Sequence, residues 1–253
     1  MSAAVSIIIP VCNQVGYSRL SMDYHARNTP AGVEFIIIDN ASQDNTGEFF
    51  KSLSKNMNIR YERNSSNLGP ILALNQGIKL SRADIVIAVH NDLIVFAKGW
   101  VDTVINTLMG DKHIGLGGIA GRKIIDKRGV VDERSLAHSL INEGLNPPMQ
   151  TLVEEVVVLD GVFISGRREV LNELGGFDEV YGLMHFYDLD ISMKSKSAGY
   201  KNVVMNIEAL HINNGGITRK TGLYKSMVPD DIKLQNKNSK IFYSKWKHML
   251  AGR

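Results

Sequence analysis

Three stretches of the chain are dominated by apolar, largely β-branched residues: Val5 to Pro10 (VSIIIP), Val33 to Ile38 (VEFIII) and Ile85 to Val89 (IVIAV). Runs of β-branched residues with no polar alternation predict strands covered on both faces. A more mixed run, Met57 to Tyr61, predicts a further short strand. Helix-length segments lie between or after these runs, including Asn45 to Leu53, Pro70 to Leu80 and Gly99 to Met109. The units read as βαβ, so the strands should be parallel. The first half therefore predicts an α/β fold, an open sheet of the nucleotide-binding type.

The second half is less regular. Ile114 to Val131 is glycine-rich and leans towards strand, with short strand-like pieces at Lys123 to Ile125 and Gly129 to Val131. Gly115-Leu116-Gly117-Gly118-Ile119-Ala120 has the form of a dinucleotide fingerprint. A helix-like segment precedes it and strand-like pieces follow, the reverse of what that fingerprint requires, so the match is rejected. Ser135 to Met149 reads as a loop. Glu155 to Ser165 reads as a strand region broken at Asp160-Gly161, and Arg167 to Leu174 as a short helix closed by Gly175-Gly176. Asp188 sits at an N-cap position before a helix that Gly199 ends, and Lys201 to Ile207 resumes strand character.

Composition changes this picture in one place. The net charge of +3 over 253 residues argues for no nucleic-acid partner, but nine Lys/Arg against two Asp lie from Arg219 onward. Ile241, Phe242, Trp246 and Leu250 form one helical stripe there, with lysines on other faces. Such a helix would dock on the fold, or meet an anionic acceptor or membrane surface. The single cysteine, Cys12, excludes an internal disulfide framework and reads as small packing volume. No basic region precedes the first apolar run, and no segment has the length of a membrane span, so a cytoplasmic protein is expected.

The predicted strands end in polar groups: Pro10-Val11-Cys12-Asn13, Asp39-Asn40-Ala41-Ser42 and His90-Asn91-Asp92. In a parallel sheet these ends open onto one edge, where ligands bind. A carboxylate such as Asp92 could hold a hard divalent cation there. The bland alternative is that Asn and Asp simply make turns. Asn64 to Gly69 is a loop before a helix whose amides could face an anion or form an ordinary cap.

Taken in order, these motifs resemble the inverting glycosyltransferases of the GT-A fold, family 2. VSIIIPVCN is similar to that family's first strand, and FIIIDNASQDNT to its second strand and following acidic run. NSSNLGPILALNQGI, HNDLIVFAKGW, DGVFISGRREVLNELGGFDE and FYDLDISMKSKSAGY match its nucleotide-side loop, metal motif, acceptor-side strand and catalytic acidic motif. The resemblance covers nearly the whole chain. It implies a single GT-A domain over 1–212, with a nucleotide-sugar half (1–110) and an acceptor half (111–212). Residues 213–253 would form a lid loop and a basic helix.

The resemblance also implies roles. Pro10, Asn13 and Asp39 would line the base and ribose pocket, with Asn67, Gly69 and Asn91 beside the nucleotide. Asp92, with His211, would hold Mn2+ or Mg2+ against the diphosphate, a histidine ligand tilting the choice towards manganese. Asp188 would be the general base, with Gly161 and Tyr187 on the acceptor side. The partners implied are a nucleotide-diphosphate sugar and a glycan or lipid-linked glycan acceptor. Three positions depart from the family pattern: His90 in place of Asp or Asn, Tyr187 in place of Glu, and Lys194 in place of Arg.

Inversion needs one displacement and one base, and the helix dipole would favour an ionised Asp188. Asp190 points roughly 200° away from Asp188 at about 100° per residue, so the two cannot face one sugar. It reads as a first-turn residue complementing the dipole. Trp100 reads as core. A sugar-nucleotide-binding subunit with degenerate chemistry is the alternative that His90 and Tyr187 raise. A nucleotidyltransferase is disfavoured, because VCNQVGYSRL after the first strand is not the glycine-rich basic loop such enzymes need.

Overall fold

The computed structural model describes residues 4–141, 147–212 and 221–250. The first half contains β1 (Val5–Val11), α1 (Val15–Asn28), β2 (Glu34–Asp39), α2 (Thr46–Leu53), β3 (Ile59–Arg63), α3 (Gly69–Leu80), β4 (Ile85–Val89), β5 (Leu93–Val95) and α4 (Trp100–Gly110). The second contains β6 (Ile114–Gly118), β7 (Ala120–Arg122), β8 (Leu136–His138), β9 (Val153–Val156), β10 (Val158–Leu159), β11 (Phe163–Arg167), α5 (Arg168–Glu173), α6 (Tyr187–Ser197), β12 (Lys201–Met205) and β13 (Ala209–His211). Helices α7 (Gly222–Met227) and α8 (Asp231–Leu250) follow.

Eight strands form one sheet in the order β3-β2-β1-β4-β11-β6-β12-β9. β3, β2, β1 and β4 are mutually parallel. β11 runs antiparallel between β4 and β6, β12 is parallel to β6, and β9 is antiparallel at the edge. The uninterrupted apolar runs have a direct cause. Ile7 and Ile9 of β1 pack with Ile37, Ile87 and Trp100 on one face, while Ile8 packs with Ile36, Ile38, Val86 and Ile191 on the other. Both faces are covered, so no position of β1 is free to be polar for solvent's sake.

The chain order explains where a ligand can sit. From β1 it moves outward to β2 and β3, then returns to place β4 on β1's other side. The order reverses at β1/β4, and the loops beyond these two strand ends diverge to leave a crevice.

The second half differs from the pattern-based expectation in instructive ways. The boundary near residue 110 does not divide the sheet, which continues through β11, β6, β12 and β9. The third strand lies two residues later than predicted, because β3 is an edge strand with half-exposed side chains and a weak apolar signal. The predicted loop Ser135 to Met149 contains β8, which pairs with β7. The pieces around Lys123 and Gly129 make only the bridge Ile125–Val131. Of the anticipated lid, residues 213–220 lie outside the described residues. Helix α8 docks through Asn238, Phe242, Trp246 and Leu250, which are buried at a spacing of four.

Candidate active site

A cavity of about 310 Å³ occupies the crevice beyond β1 and β4. Its first wall is built from strand-end loops: Pro10, Cys12, Asn13, Asn40, Asn67, Gly69, Asn91 and Asp92 all line it. Asn13 and Gln14 both take left-handed backbone conformations, with φ of 58° and 61°. Non-glycine residues adopt these only where surrounding contacts hold them. Here Asn13 N–H donates to Ser42 Oγ at 2.7 Å, and Asn13 Oδ1 accepts from Gln43 N–H at 2.6 Å. The turn after β1 is thereby tied to the turn after β2.

Asp39 stands apart from the pocket role the resemblance implies. It is fully buried and is not among the cavity-lining residues. Its Oδ1 accepts from Ser42 N–H at 2.8 Å, and its Oδ2 accepts from Arg63 Nη1 at 2.9 Å and from the Tyr61 hydroxyl. Asp39 braces the turn that holds Asn13.

The loop before α3 is also internally satisfied. Asn67 Oδ1 accepts from Gly69 N–H at 2.9 Å, and Asn67 Nδ2 donates to Cys12 Sγ at 3.3 Å. Gly69 has φ +81°, and a Cβ there would lie 2.7 Å from Leu183 Cδ2. Burial, with Asp39 and Asp44 nearby, pushes the Cys12 thiol up to about 11. It lines the cavity as a neutral thiol.

At the end of β4 the structure brings His211, from β13, onto Asp92. His211 Nε2 lies 3.3 Å from Asp92 Oδ1 and 3.4 Å from His90 Nδ1. His90 Nδ1 lies 3.9 Å from Asp92 Oδ1. Pairing of β13 with β5 sets His211 across from Leu93, which makes the approach a consequence of register. Burial alone would raise the Asp92 carboxyl, but the hydrogen bond with His211 and the fields of both imidazoles outweigh it and hold it low. Burial and His211 lower the His90 imidazole, against the pull of Asp92. The result is one carboxylate and two imidazoles with ligand atoms all within 4.8 Å of one another. That donor set fits a divalent ion that takes both oxygen and nitrogen.

The second wall carries Gly161, Met184, His185, Tyr187 and Asp188. His185 and Phe186, directly before α6, both have φ of 67°. Asp188 Oδ2 accepts from Gly161 N–H at 2.9 Å, and Oδ1 accepts from Leu189 N–H at 3.0 Å. A Cβ at position 161 would collide with the Tyr187 hydroxyl and come within 3.2 Å of Asp188 Oδ2. Burial, then the charge of Asp160, push the Asp188 carboxyl up to about 6, against the N–H groups of Leu189 and Gly161. The helix-dipole expectation pointed the other way, and desolvation outweighs it. Tyr187 is buried, and its ring packs against Phe177 with centroids 5.7 Å apart.

Asp190 does turn away from Asp188, but to a different end than dipole compensation. It is fully buried, and its Oδ1 accepts from Tyr181 Oη at 2.9 Å and from Trp246 Nε1 at 2.7 Å. Lys245 Nζ donates to Asp190 Oδ2 at 2.9 Å and to Asp178 Oδ2 at 2.7 Å. Asn238 Nδ2 donates to the carbonyls of Tyr181 and Met184 at 2.8 and 2.7 Å. These bonds fasten α8 behind the second wall. Trp100 is fully buried, as its apolar context predicts. Lys194 Nζ donates to Gly176 O at 2.9 Å.

Further cavity residues come from the segment expected to form a lid loop. Thr221, Leu223, Tyr224 and Met227 reach the cavity from α7 and the residue before it. Asp231 accepts from the Tyr224 hydroxyl and meets His185 Nε2 at 2.7 Å. No periodicity or motif links these positions, and only the tertiary fold brings them together.

The family model described as "Glycosyl transferase family 2" matches residues 6–175. A poly-beta-1,6-N-acetyl-D-glucosamine synthase of Staphylococcus aureus strain COL is 28% identical over 169 residues, 66% of this chain and 40% of that protein. An uncharacterized Sinorhizobium fredii protein, y4gI, is 26% identical over 214 residues, 79% of this chain and 23% of its own length. The chain thus spans well under half of these relatives. Among solved structures, GalNAc-T7 with UDP, GalNAc and Mn2+ aligns over 83% of this chain and 44% of its own, at TM-score 0.69 and 18% identity. Staphylococcus aureus TarS 1–349 with UDP-GlcNAc aligns over 80% and 56%, at TM-score 0.60 and 17% identity. Pyrobaculum calidifontis mannosyltransferase PcManGT with GDP-Man and Mn2+ aligns over 80% and 54%, at TM-score 0.59 and 18% identity. These structural likenesses show the α/β architecture over a larger share of the chain than the matched segment.

Proposed function

Because the chain belongs to glycosyl transferase family 2, we propose that it transfers a sugar from a nucleotide-diphosphate sugar to an acceptor hydroxyl with inversion at the anomeric carbon. The observation that carries this reading is the pairing of two chemistries in one cavity: a carboxylate–imidazole cluster and a separate carboxylate poised at about 6. Sugar nucleotides bound to TarS and PcManGT support the donor class. The S. aureus relative's name supports a glycan as acceptor.

Pro10, Asn13, Asn67, Gly69 and Asn91 would hold the nucleotide, as they line the cavity on the strand-end side. His90, Asp92 and His211 would hold a divalent cation, Mn2+ or Mg2+. When bound, it would neutralise charge on the departing diphosphate. Asp188 takes the proton of the acceptor hydroxyl while that oxygen bonds to the anomeric carbon and the bond to the diphosphate breaks. Each Asp188 oxygen accepts one backbone N–H and keeps a lone pair for that proton. A base near 6 is ionised at neutral pH yet more basic than an ordinary carboxylate, and such a base is worth about 10²–10⁴ in rate. Gly161 and Tyr187 flank the acceptor side.

Calorimetric titration with UDP, GDP and dTDP, each with and without Mn2+, tests the donor side. One nucleotide should bind with metal and lose affinity in Asp92→Ala. Metal-independent binding, equal in both proteins, contradicts the assignment. No helix among the described residues is long and apolar enough to cross a membrane. Contact with an anionic membrane would use exposed Lys233, Lys237, Lys240 and Lys247 of α8. Salt-sensitive pelleting with anionic vesicles supports that contact, and its absence removes it.

A further inference from the structure

The turn after β10 runs beside the start of α6 and is bonded to it at two points, next to a bond inside the helix. Leu159 N–H donates to Ser192 Oγ at 2.9 Å, Ser192 Oγ donates to Asp188 O at 2.7 Å, and Gly161 N–H donates to Asp188 Oδ2 at 2.9 Å. Between Leu159 and Gly161 stands Asp160. Its own N–H donates to Ala120 O at 3.0 Å. Its carboxylate is gripped by Arg122, at the end of β7, whose side chain is only 13% exposed. Arg122 Nη1 donates to Asp160 Oδ2 at 2.9 Å, while Nε and Nη2 donate to Glu133 Oε2 at 3.0 and 2.7 Å. The guanidinium is committed on both edges, a fork that a lysine could not reproduce.

We propose that Asp160, clamped by Arg122, is a positioning residue for Asp188: it fixes the Gly161 N–H on the carboxylate and places a second carboxylate next to that contact. The proposal rests on the reading of Asp188 as the base. Three observations support it. Gly161, next to Asp160 in the chain, has no side chain, and even a Cβ there would approach Asp188 Oδ2 to 3.2 Å. Asp160 is the charged neighbour that raises the Asp188 carboxyl, second only to burial. The remaining groups around Asp188 cannot play this part. Tyr187 is buried and neutral, its hydroxyl pushed far up by burial and by both aspartates. Asp190 is turned to Lys245, Trp246 and Tyr181. His185 lines the same cavity but is engaged with Asp231. Arg122 and Glu133 act only through Asp160.

The test is a ¹³C NMR titration of the Asp188 carboxyl in the full chain and in Asp160→Asn, with Asp188→Asn identifying the resonance. The titration midpoint should fall by about one pH unit, the scale of a neighbouring charge. The acidic limb of kcat/KM should move down with it, with donor KM unchanged. Asp160→Ser removes the charge but leaves an acceptor for Arg122, so it must give the same shift if Asp160→Asn fails to fold. An unmoved midpoint overturns the proposal. So does an unmoved limb with a raised acceptor KM, which would make Asp160 an acceptor contact. If Asp188→Asn transfers sugar at the native rate, the base reading falls instead, and the NMR midpoint still reports whether the two carboxylates are coupled.

Discussion

On the strand-end wall of the cavity, Pro10–Gln14 and His90–Asp92 each follow a buried strand directly. On the wall that carries Asp188, Gly161, His185, Asp188 and Tyr224 come from separate segments, held by bonds that run back to α8. The first arrangement needs only the sheet, whose parallel strands place their ends together. The second needs the last helix to be in place. The two carboxylates of the Asp188–Asp190 pair divide that labour: one faces the cavity, and the other anchors the helix that supports it.

Breaking the anchor should separate the walls most sharply. Asp190→Ala strands the buried Trp246 indole N–H and Tyr181 hydroxyl, each costing about 1–3 kcal/mol, and takes one of two carboxylate partners from Lys245. Denaturant melts should show that loss. Below the transition, metal-dependent nucleotide binding should persist, because no strand-end residue touches Asp190. Equal loss of binding and stability would mean that the walls are not independent.

Metal removal probes the other wall. Treatment with EDTA should weaken nucleotide binding while leaving the unfolding curve of the nucleotide-free protein near its place. A large drop in stability would instead make the His90–Asp92–His211 cluster a structural site.

The smallest effect concerns the cost of poising the base. The folded pKa of Asp188, about 6, lies above an ordinary carboxylate. A raised acid is favoured protonated in the folded state, so it disfavours folding progressively as pH rises from near 4 through 6. Asp188→Asn should therefore be more stable than the wild type by about 1–2 kcal/mol at pH 7–8, with the gain vanishing below pH 4. Melts across that range check both the sign and the window.

What the sequence revealed follows the same division. Runs such as VSIIIP state their burial in their composition, and the polar residues that end them are adjacent in the chain, so the place of Pro10, Asn13 and Asp92 at one edge of the sheet was legible. Asp39 occupies such a strand end yet turns inward, because Tyr61 and Arg63 of the edge strand β3 claim its carboxylate. That outcome depends on strand pairing, which a local pattern does not contain. Asp190 looked like a helix-start acid because its partners Tyr181, Lys245 and Trp246 lie elsewhere in the sequence. The Arg122–Asp160 clamp and the Tyr224 contact were silent for the same reason. The direction of the Asp188 shift was missed because the helix dipole is visible from sequence, while burial and the charge of Asp160 are not.

The central claim is that one wall binds the donor and the other performs the chemistry. It is tested most directly by measuring nucleotide affinity and sugar transfer on the same preparation of Asp188→Asn, with metal present. The account predicts native nucleotide affinity with transfer reduced by about 10²–10⁴. Transfer at the native rate, or affinity lost in step with transfer, would contradict it.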